Sequence, residues 1–220
     1  GPNEANNFSA SPDVLNITVP ELRLGVVLDT TLETGVSQVY RVRVEGNETL
    51  RLSLTTPERD AANEIFVRYG DVPSAFEFDA TFQNPLQANQ TALIPTTQAG
   101  DYYVLVRAQS SPTQSFAATL KAETLPFQIT DVTPDQGGDS RWVSMTITGA
   151  RFKPDALVKL VRPGLNEIEP VRYEVVDATS IIAIFDLRSQ EHALYDLKVI
   201  NPDGAEAIVP YRYLIERALP

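Results

Sequence analysis

His192 is the only histidine in the chain, and so the only side chain whose ordinary titration lies near neutral pH. It follows Glu191 in a polar stretch before Tyr195, and any Ser-His-acid triad would have to use it. No Gly-x-Ser-x-Gly turn accompanies it. A phosphate-cradling Walker loop, a Gly-x-Gly-x-x-Gly run and a His-Glu-x-x-His pair are also missing. A solvent-exposed loop histidine is the simpler account. Paired carboxylates could serve a glycosidase, but with 29 Asp and Glu present their occurrence discriminates nothing. There is no cysteine, which excludes disulfide frameworks, zinc-thiolate sites and thiol nucleophiles. The expectation is a chain that is not an enzyme.

Aromatic residues offer a different chemistry. Tyr69, Phe76, Phe78 and Phe82 fall within fourteen residues, among Gly70, Pro73 and Pro85. Exposed on a loop, such rings stack on sugars or grip a protein. Folded back, they form a satellite core, and that reading is favoured because most aromatic side chains are largely buried. These four are the candidate ligand-binding residues. Asn-x-Ser/Thr triplets occur at Asn7, Asn16, Asn47 and Asn89 and would mark glycosylated loops in a eukaryotic secreted protein.

Composition narrows the partners. The formal charge is −11, and both halves are acidic: residues 1–125 carry 8 basic and 15 acidic side chains, residues 126–220 carry 10 and 14. Phosphate backbones and anionic membrane surfaces are repelled, so nucleic acid and direct membrane insertion are not expected. No apolar run approaches the roughly 20 residues of a membrane-crossing helix. The chain opens Gly1-Pro2, which resembles a tag-removal scar, so the natural N-terminus is expected to be missing.

The elements that must position these residues are strands. Tyr40, Val42 and Val44 alternate with Arg41 and Arg43; Gly46-Asn47 then leads into Leu50, Leu52 and Leu54, which reads as a hairpin. Ile65, Val67 and Tyr69 alternate with Phe66 and Arg68, and Tyr102 to Val106 is apolar on both faces, like an inner strand. Phe116 to Ala122 supplies the last strand of this series. Val143, Met145 and Ile147 open a second series, followed by Val158 and Leu160, by Val171, Tyr173 and Val175, and by Ile181 to Leu187. Tyr195, Leu197 and Val199 lead through the turn Asn201-Pro202-Asp203-Gly204 to Val209, Tyr211 and Tyr213. No stretch keeps a helical period over three turns. The fold class is all-β, two tandem β-sandwiches: a lead-in over 1–20, one sandwich over 21–125 and another over 126–220. Within the lead-in, Val14, Leu15, Ile17 and Val19 could form an edge strand.

The first half resembles the bacterial pre-peptidase C-terminal (PPC) domain, a jelly-roll-type sandwich. The resemblance rests on residues 37–44 (Ser-Gln-Val-Tyr-Arg-Val-Arg-Val), 65–70 (Ile-Phe-Val-Arg-Tyr-Gly) and 99–106 (Ala-Gly-Asp-Tyr-Tyr-Val-Leu-Val), with Glu4-Ala5-Asn6-Asn7 similar to the family's opening. The second half resembles the IPT/TIG immunoglobulin-like domain. Residues 129–134 with Gly137-Gly138, residues 145–152, and above all residues 195–204 (Tyr-Asp-Leu-Lys-Val-Ile-Asn-Pro-Asp-Gly) carry that resemblance. Gly149 before Phe152 suits a strand end needing positive φ or close approach. With a bacterial resemblance, the Asn-x-Ser/Thr triplets read as chance.

The resemblances imply a non-catalytic accessory tandem of a secreted or surface-anchored protein, acting as spacer or adhesion-binding module. The alternative is an accessory region of an exported hydrolase, aiding substrate capture or folding. The expected partners are an extracellular protein or polysaccharide and neighbouring domains of the same chain. No cofactor is expected, with one exception to weigh. Some PPC domains bind calcium through an acidic, Asn-rich opening and carboxylates ahead of the Tyr40-like strand. Glu4, Asn6 and Asn7 match the first part as candidate metal ligands, with Asp13 near them; Ser37 and Gln38 stand where the acids would be. Calcium affinity follows ligand charge and count. Adding calcium at roughly millimolar concentration should therefore raise the melting temperature little or not at all. A rise of several degrees, reversed by chelator and lost in Glu4→Ala, would show ligands that replace the missing acids.

Overall fold

The structure, a computed structural model, describes residues 18–165 and 167–218. The chain is all-β and forms two tandem β-sandwiches. The first contains β1 (Val27–Glu33), β2 (Ser37–Val44), β3 (Thr49–Thr55), β4 (Ala62–Tyr69), β5 (Ala80–Thr81), β6 (Gln90–Ile94), β7 (Gly100–Ser110) and β8 (Ser115–Leu125). Its two sheets have the orders β1-β8-β3-β6 and β2-β7-β4-β5. The second contains β9 (Gln128–Thr133), β10 (Gln136–Gly138), β11 (Trp142–Ala150), β12 (Leu157–Val161), β13 (Arg172–Asp177), β14 (Ser180–Asp186), β15 (Ala193–Ile200) and β16 (Glu206–Glu216). Its sheets are β10-β16-β15-β12 and β13-β14-β11-β9. The ladders are antiparallel except β10 with β16.

Period-two alternation explains the faces. Tyr40, Val42 and Val44 on β2, Leu50, Leu52 and Leu54 on β3, and Ile65 and Val67 on β4 point into one buried cluster. Met145 and Ile147, Ile181, Ala183 and Phe185, and Tyr195, Leu197 and Val199 point into a second. Each fully buried Leu contributes about 1.5–3 kcal/mol, so the three leucines of β3 anchor their sheet.

Two sequence expectations fail in instructive ways, and a third, for Gly149, is narrowed to one of its two alternatives. Gly46-Asn47 does not close a hairpin: β2 pairs with β7 and β3 pairs with β6 and β8, so the corner crosses from one sheet to the other. Asn47 takes the expected left-handed conformation (φ 62°). The corner is tied to buried Thr97, whose N–H donates to Glu48 O (2.8 Å), whose carbonyl accepts from Asn47 N (2.8 Å), and whose hydroxyl donates to Glu45 O (2.6 Å). Tyr211 does not continue the buried alternation. A bulge sets Leu197 opposite Val209 but Tyr195 opposite Tyr213, and Tyr211 is 74% exposed. Gly149 serves close approach, not positive φ: a Cβ there would overlap Gln128 O and the Phe152 ring.

Two edges of the first sandwich, β1 and β2, are covered from within the chain. Gln38 Nε2 donates to Thr31 O (2.7 Å), and Thr30 Oγ1 lies 2.9 Å from Tyr40 Oη, so β1 and β2 are stitched across the gap between their sheets. Leu22 N donates to Arg41 O (2.7 Å) and Arg41 N to Pro20 O (2.9 Å), covering the outer edge of β2. Such pairing removes exposed donors and acceptors that would invite other strands.

The two sandwiches meet at a short junction. Only Pro126 and Phe127 separate β8 from β9, and Phe127 stands edge-on to Phe152 at 6.2 Å. Arg151 N donates to Thr49 Oγ1 (3.1 Å), and Arg151 Nη1 lies 3.2 Å from Glu48 Oε2. Arg151 holds a left-handed φ of 58°. Buried Asn201 braces it from behind, its Nδ2 donating to Arg151 O (3.0 Å) and its Oδ1 accepting from Lys153 N (2.9 Å). Lys153 Nζ in turn pairs with Asp203 Oδ2 at 2.6 Å.

Gly137 and Tyr213 give a test of the second core. The Tyr213 hydroxyl is buried without a hydrogen-bond partner among the described residues, and burial pushes its phenol up to about 12. A Cβ on Gly137 would overlap that hydroxyl. Gly137→Ala should cost about 1–3 kcal/mol in urea unfolding. Tyr213→Phe should be neutral or stabilising, because it removes an unpaired buried group. The double variant should recover much of the Gly137→Ala loss; strictly additive effects would place the clash elsewhere.

Candidate functional site

The structure divides the four candidate aromatics. Phe66 leaves β4 on the face away from the core, yet is buried, because the loop that follows folds its own rings over it. Phe78 lies 5.5 Å from Phe66 and Phe82 meets it edge-on at 5.6 Å. Phe78, itself 40% exposed, and Phe82, which also packs against the main core, cover the outer ring of Phe66. Tyr69 packs edge-on against Tyr102 (5.2 Å) and donates its hydroxyl to Ala99 O (3.0 Å), lying across Gly100. Phe76 does neither. It is 94% exposed.

Phe76 stands at the tip of an ordered turn. Ser74 Oγ accepts from the backbone N–H groups of Phe76 (3.2 Å) and Glu77 (3.1 Å), while Ser74 N donates to Glu77 O (3.0 Å). Arg68 Nη1 lies 2.9 Å from Glu77 Oε2 and 3.5 Å from Asp71 Oδ2, bracing both sides of the turn. Asp79 Oδ2 accepts from Tyr69 N (2.7 Å), and Asp79 N donates to Val67 O (2.8 Å), which returns the chain to β4. On the other side of β5, Leu86 is 82% exposed with φ 63°. Its loop walls an open polar cleft of about 720 Å³ that includes Thr56, Arg59, Asn84, Gln87 and Asn89. These groups can hydrogen-bond a ligand; none is a carboxylate or imidazole that would move a proton.

His192 lies in the loop before β15, as expected of it, and its Nε2 is 2.6 Å from Asp139 Oδ2. The other Asp139 oxygen accepts from Ala218 N (2.9 Å). The amide and then the imidazole hold the Asp139 carboxyl below its ordinary range. Trp142 is 58% exposed at the start of β11, with the Arg188 guanidinium 5.8 Å above its ring. Arg188 forms two bonds to Asp186, Nε to Oδ1 (2.9 Å) and Nη2 to Oδ2 (2.6 Å), which hold the Asp186 carboxyl far below its usual range.

The candidate calcium ligands Glu4, Asn6 and Asn7 lie outside the described residues. Gln38, at the position where related domains were expected to carry acids, is used in the β1–β2 stitch. The sequence reading missed Leu86, Trp142 and the Asp139 partner of His192. Asn84-Pro85 and the lone Trp beside an alternating strand were visible signals for the first two; the third pair is separated by 53 positions and left none.

No protein-family model matches the sequence, and no curated protein does. Among solved structures, the pre-peptidase C-terminal domain of collagenase from Bacillus anthracis is similar to 50% of this chain over 99% of its own, at 14% identity and a TM-score of 0.40. A surface-associated copper-binding protein of Methylomicrobium album BG8 is similar over 47% of this chain and 97% of its own, at 10% identity and a TM-score of 0.37. The adhesin domain of Epf from Streptococcus pyogenes is similar over 88% of this chain and 79% of its own, at 10% identity and a TM-score of 0.31. All three likenesses are distant.

The Asp139 contact has a pH signature. A carboxyl whose folded value is lowered stabilises the fold above its unfolded value, about pH 4 for Asp, and loses that effect as pH falls through the folded value. Asp139→Asn should therefore melt below the parent at pH 7, and the two melting temperatures should converge as the pH is lowered toward about 2. A gap independent of pH would show that the carboxylate charge plays no part.

Proposed function

We propose that the chain is a non-catalytic accessory tandem of a secreted or surface-anchored multidomain protein, a spacer that also carries an adhesion surface. The first sandwich is taken as PPC-like and the second as IPT/TIG immunoglobulin-like. The junction carries this reading. A flexible tether needs a long polar linker, whereas here two residues, one a proline, separate strand from strand. Arg151 reaches from the second sandwich to Glu48 and Thr49 of the first, and Asn201 holds the left-handed turn that lets it do so. An ion pair of this exposure contributes at most about 1 kcal/mol and the hydrogen bond about as much again. That is enough to bias the orientation of two bodies already joined by a short link. A tandem with fixed orientation holds whatever it displays at a set distance and angle from its neighbours.

Residual dipolar couplings test the reading. Both sandwiches should report one alignment tensor in the parent chain. Arg151→Ala and Glu48→Ala should each make the two tensors diverge while leaving the spectra of both cores native. Independent tensors in the parent would remove the basis for a spacer.

A further inference from the structure

We propose that Phe76 is the anchor of a protein-docking surface whose partner presents an apolar pocket with a basic rim. This names the partner class for the adhesion surface and rests on the reading of the chain as an accessory binding tandem. A phenylalanine that is 94% exposed is unusual on a folded surface, and this one is not left out by slack chain. Ser74 closes the turn on one side, and Phe78 packs on Phe66 on the other. Arg68 spans Asp71 and Glu77 beneath it. The backbone that carries the ring is thus already ordered before binding, which lowers the entropy cost of seating it. Rigid aromatic anchors that enter a partner's pocket dominate protein interfaces.

The surroundings select the partner. Val72, Ala75 and Phe78 are exposed beside Phe76 in sequence and carry no hydrogen-bonding side chain. A sugar needs several donors and acceptors around a stacking ring, so a polysaccharide is poorly served here. From Tyr69 to Val106 there is no Lys or Arg, while Asp71, Glu77 and Asp79 flank the ring. Arg68 offsets only part of that charge. Anionic lipid and a second copy of this −11 chain are both repelled. A protein pocket rimmed with Lys or Arg meets both the apolar tip and its acidic collar.

The test pans a random dodecapeptide display library on the immobilised full chain and measures the enriched peptides by fluorescence anisotropy. The expected peptides carry Lys or Arg around an apolar centre. Phe76→Ser should weaken their binding at least about tenfold, the loss of a hot-spot side chain. Raising the salt should weaken it as well, and Val36→Ser should leave it unchanged. Phe76→Ser should keep the parent melting temperature, because the ring is solvated. Peptides without basic residues, binding indifferent to Phe76→Ser, or no enrichment would overturn the proposal. So would a dimer seen by sedimentation equilibrium, or capture by phosphatidylcholine vesicles, that disappears in Phe76→Ser. None of these outcomes touches the shared alignment tensor, so failure here is separable from failure of the spacer reading.

Discussion

The hydroxyl of Thr49 is used twice. It donates to Pro95 O at 2.8 Å inside the first sandwich and accepts from Arg151 N of the second at 3.1 Å. Thr49 itself is fully buried, which shields its hydroxyl from bulk water. A hydroxyl has one proton and two lone pairs, and this arrangement uses the proton internally while offering a lone pair outward. The corner at Gly46-Asn47 and the corner at Pro95–Thr97 must both be formed before that lone pair points at the neighbour. The relation between the sandwiches therefore depends on the local order of the first one.

The faces of the strands were legible in the sequence because period-two alternation is a local property. Tyr40, Val42 and Val44 were bound to share a face whatever they paired with. Pairing itself was not legible. Gly46-Asn47 is chemically suited to a hairpin, but the same left-handed residue also serves a corner between sheets. What decides is whether β3 finds a better partner than β2, and it finds two, β8 and β6. Tyr211 fails for a related reason: three residues, Pro210 to Arg212, face one, Asp196, across the ladder, and the count of a bulge is set by the partner strand.

The aromatic site shows the same boundary between local and distant information. Tyr69, Phe76, Phe78 and Phe82 have similar neighbours in sequence, yet three acquire contacts and one does not. Phe78 and Phe82 are claimed by Phe66, which alternation sets on the face of β4 opposite Ile65 and Val67. Tyr69 is claimed by Ala99 and Tyr102, some thirty residues away. Phe76 remains because Ser74 turns the backbone so that its side chain has nothing to reach. The Ser-x-Phe-Glu spacing was present in the sequence, but only the bond from Ser74 N to Glu77 O shows which way the turn faces.

The strand order has a mechanical consequence for a chain pulled at its ends. The chain leaves the first sandwich along β8 and the second along β16, each eleven residues long and each interior to its sheet. Tension from the C-terminal side therefore does not peel an edge strand one hydrogen bond at a time. It must break ladders on both flanks: β1 and β3 for β8, β10 and β15 for β16. Between the two lies a link too short to stretch, so force passes from one sandwich to the next with little slack to absorb it.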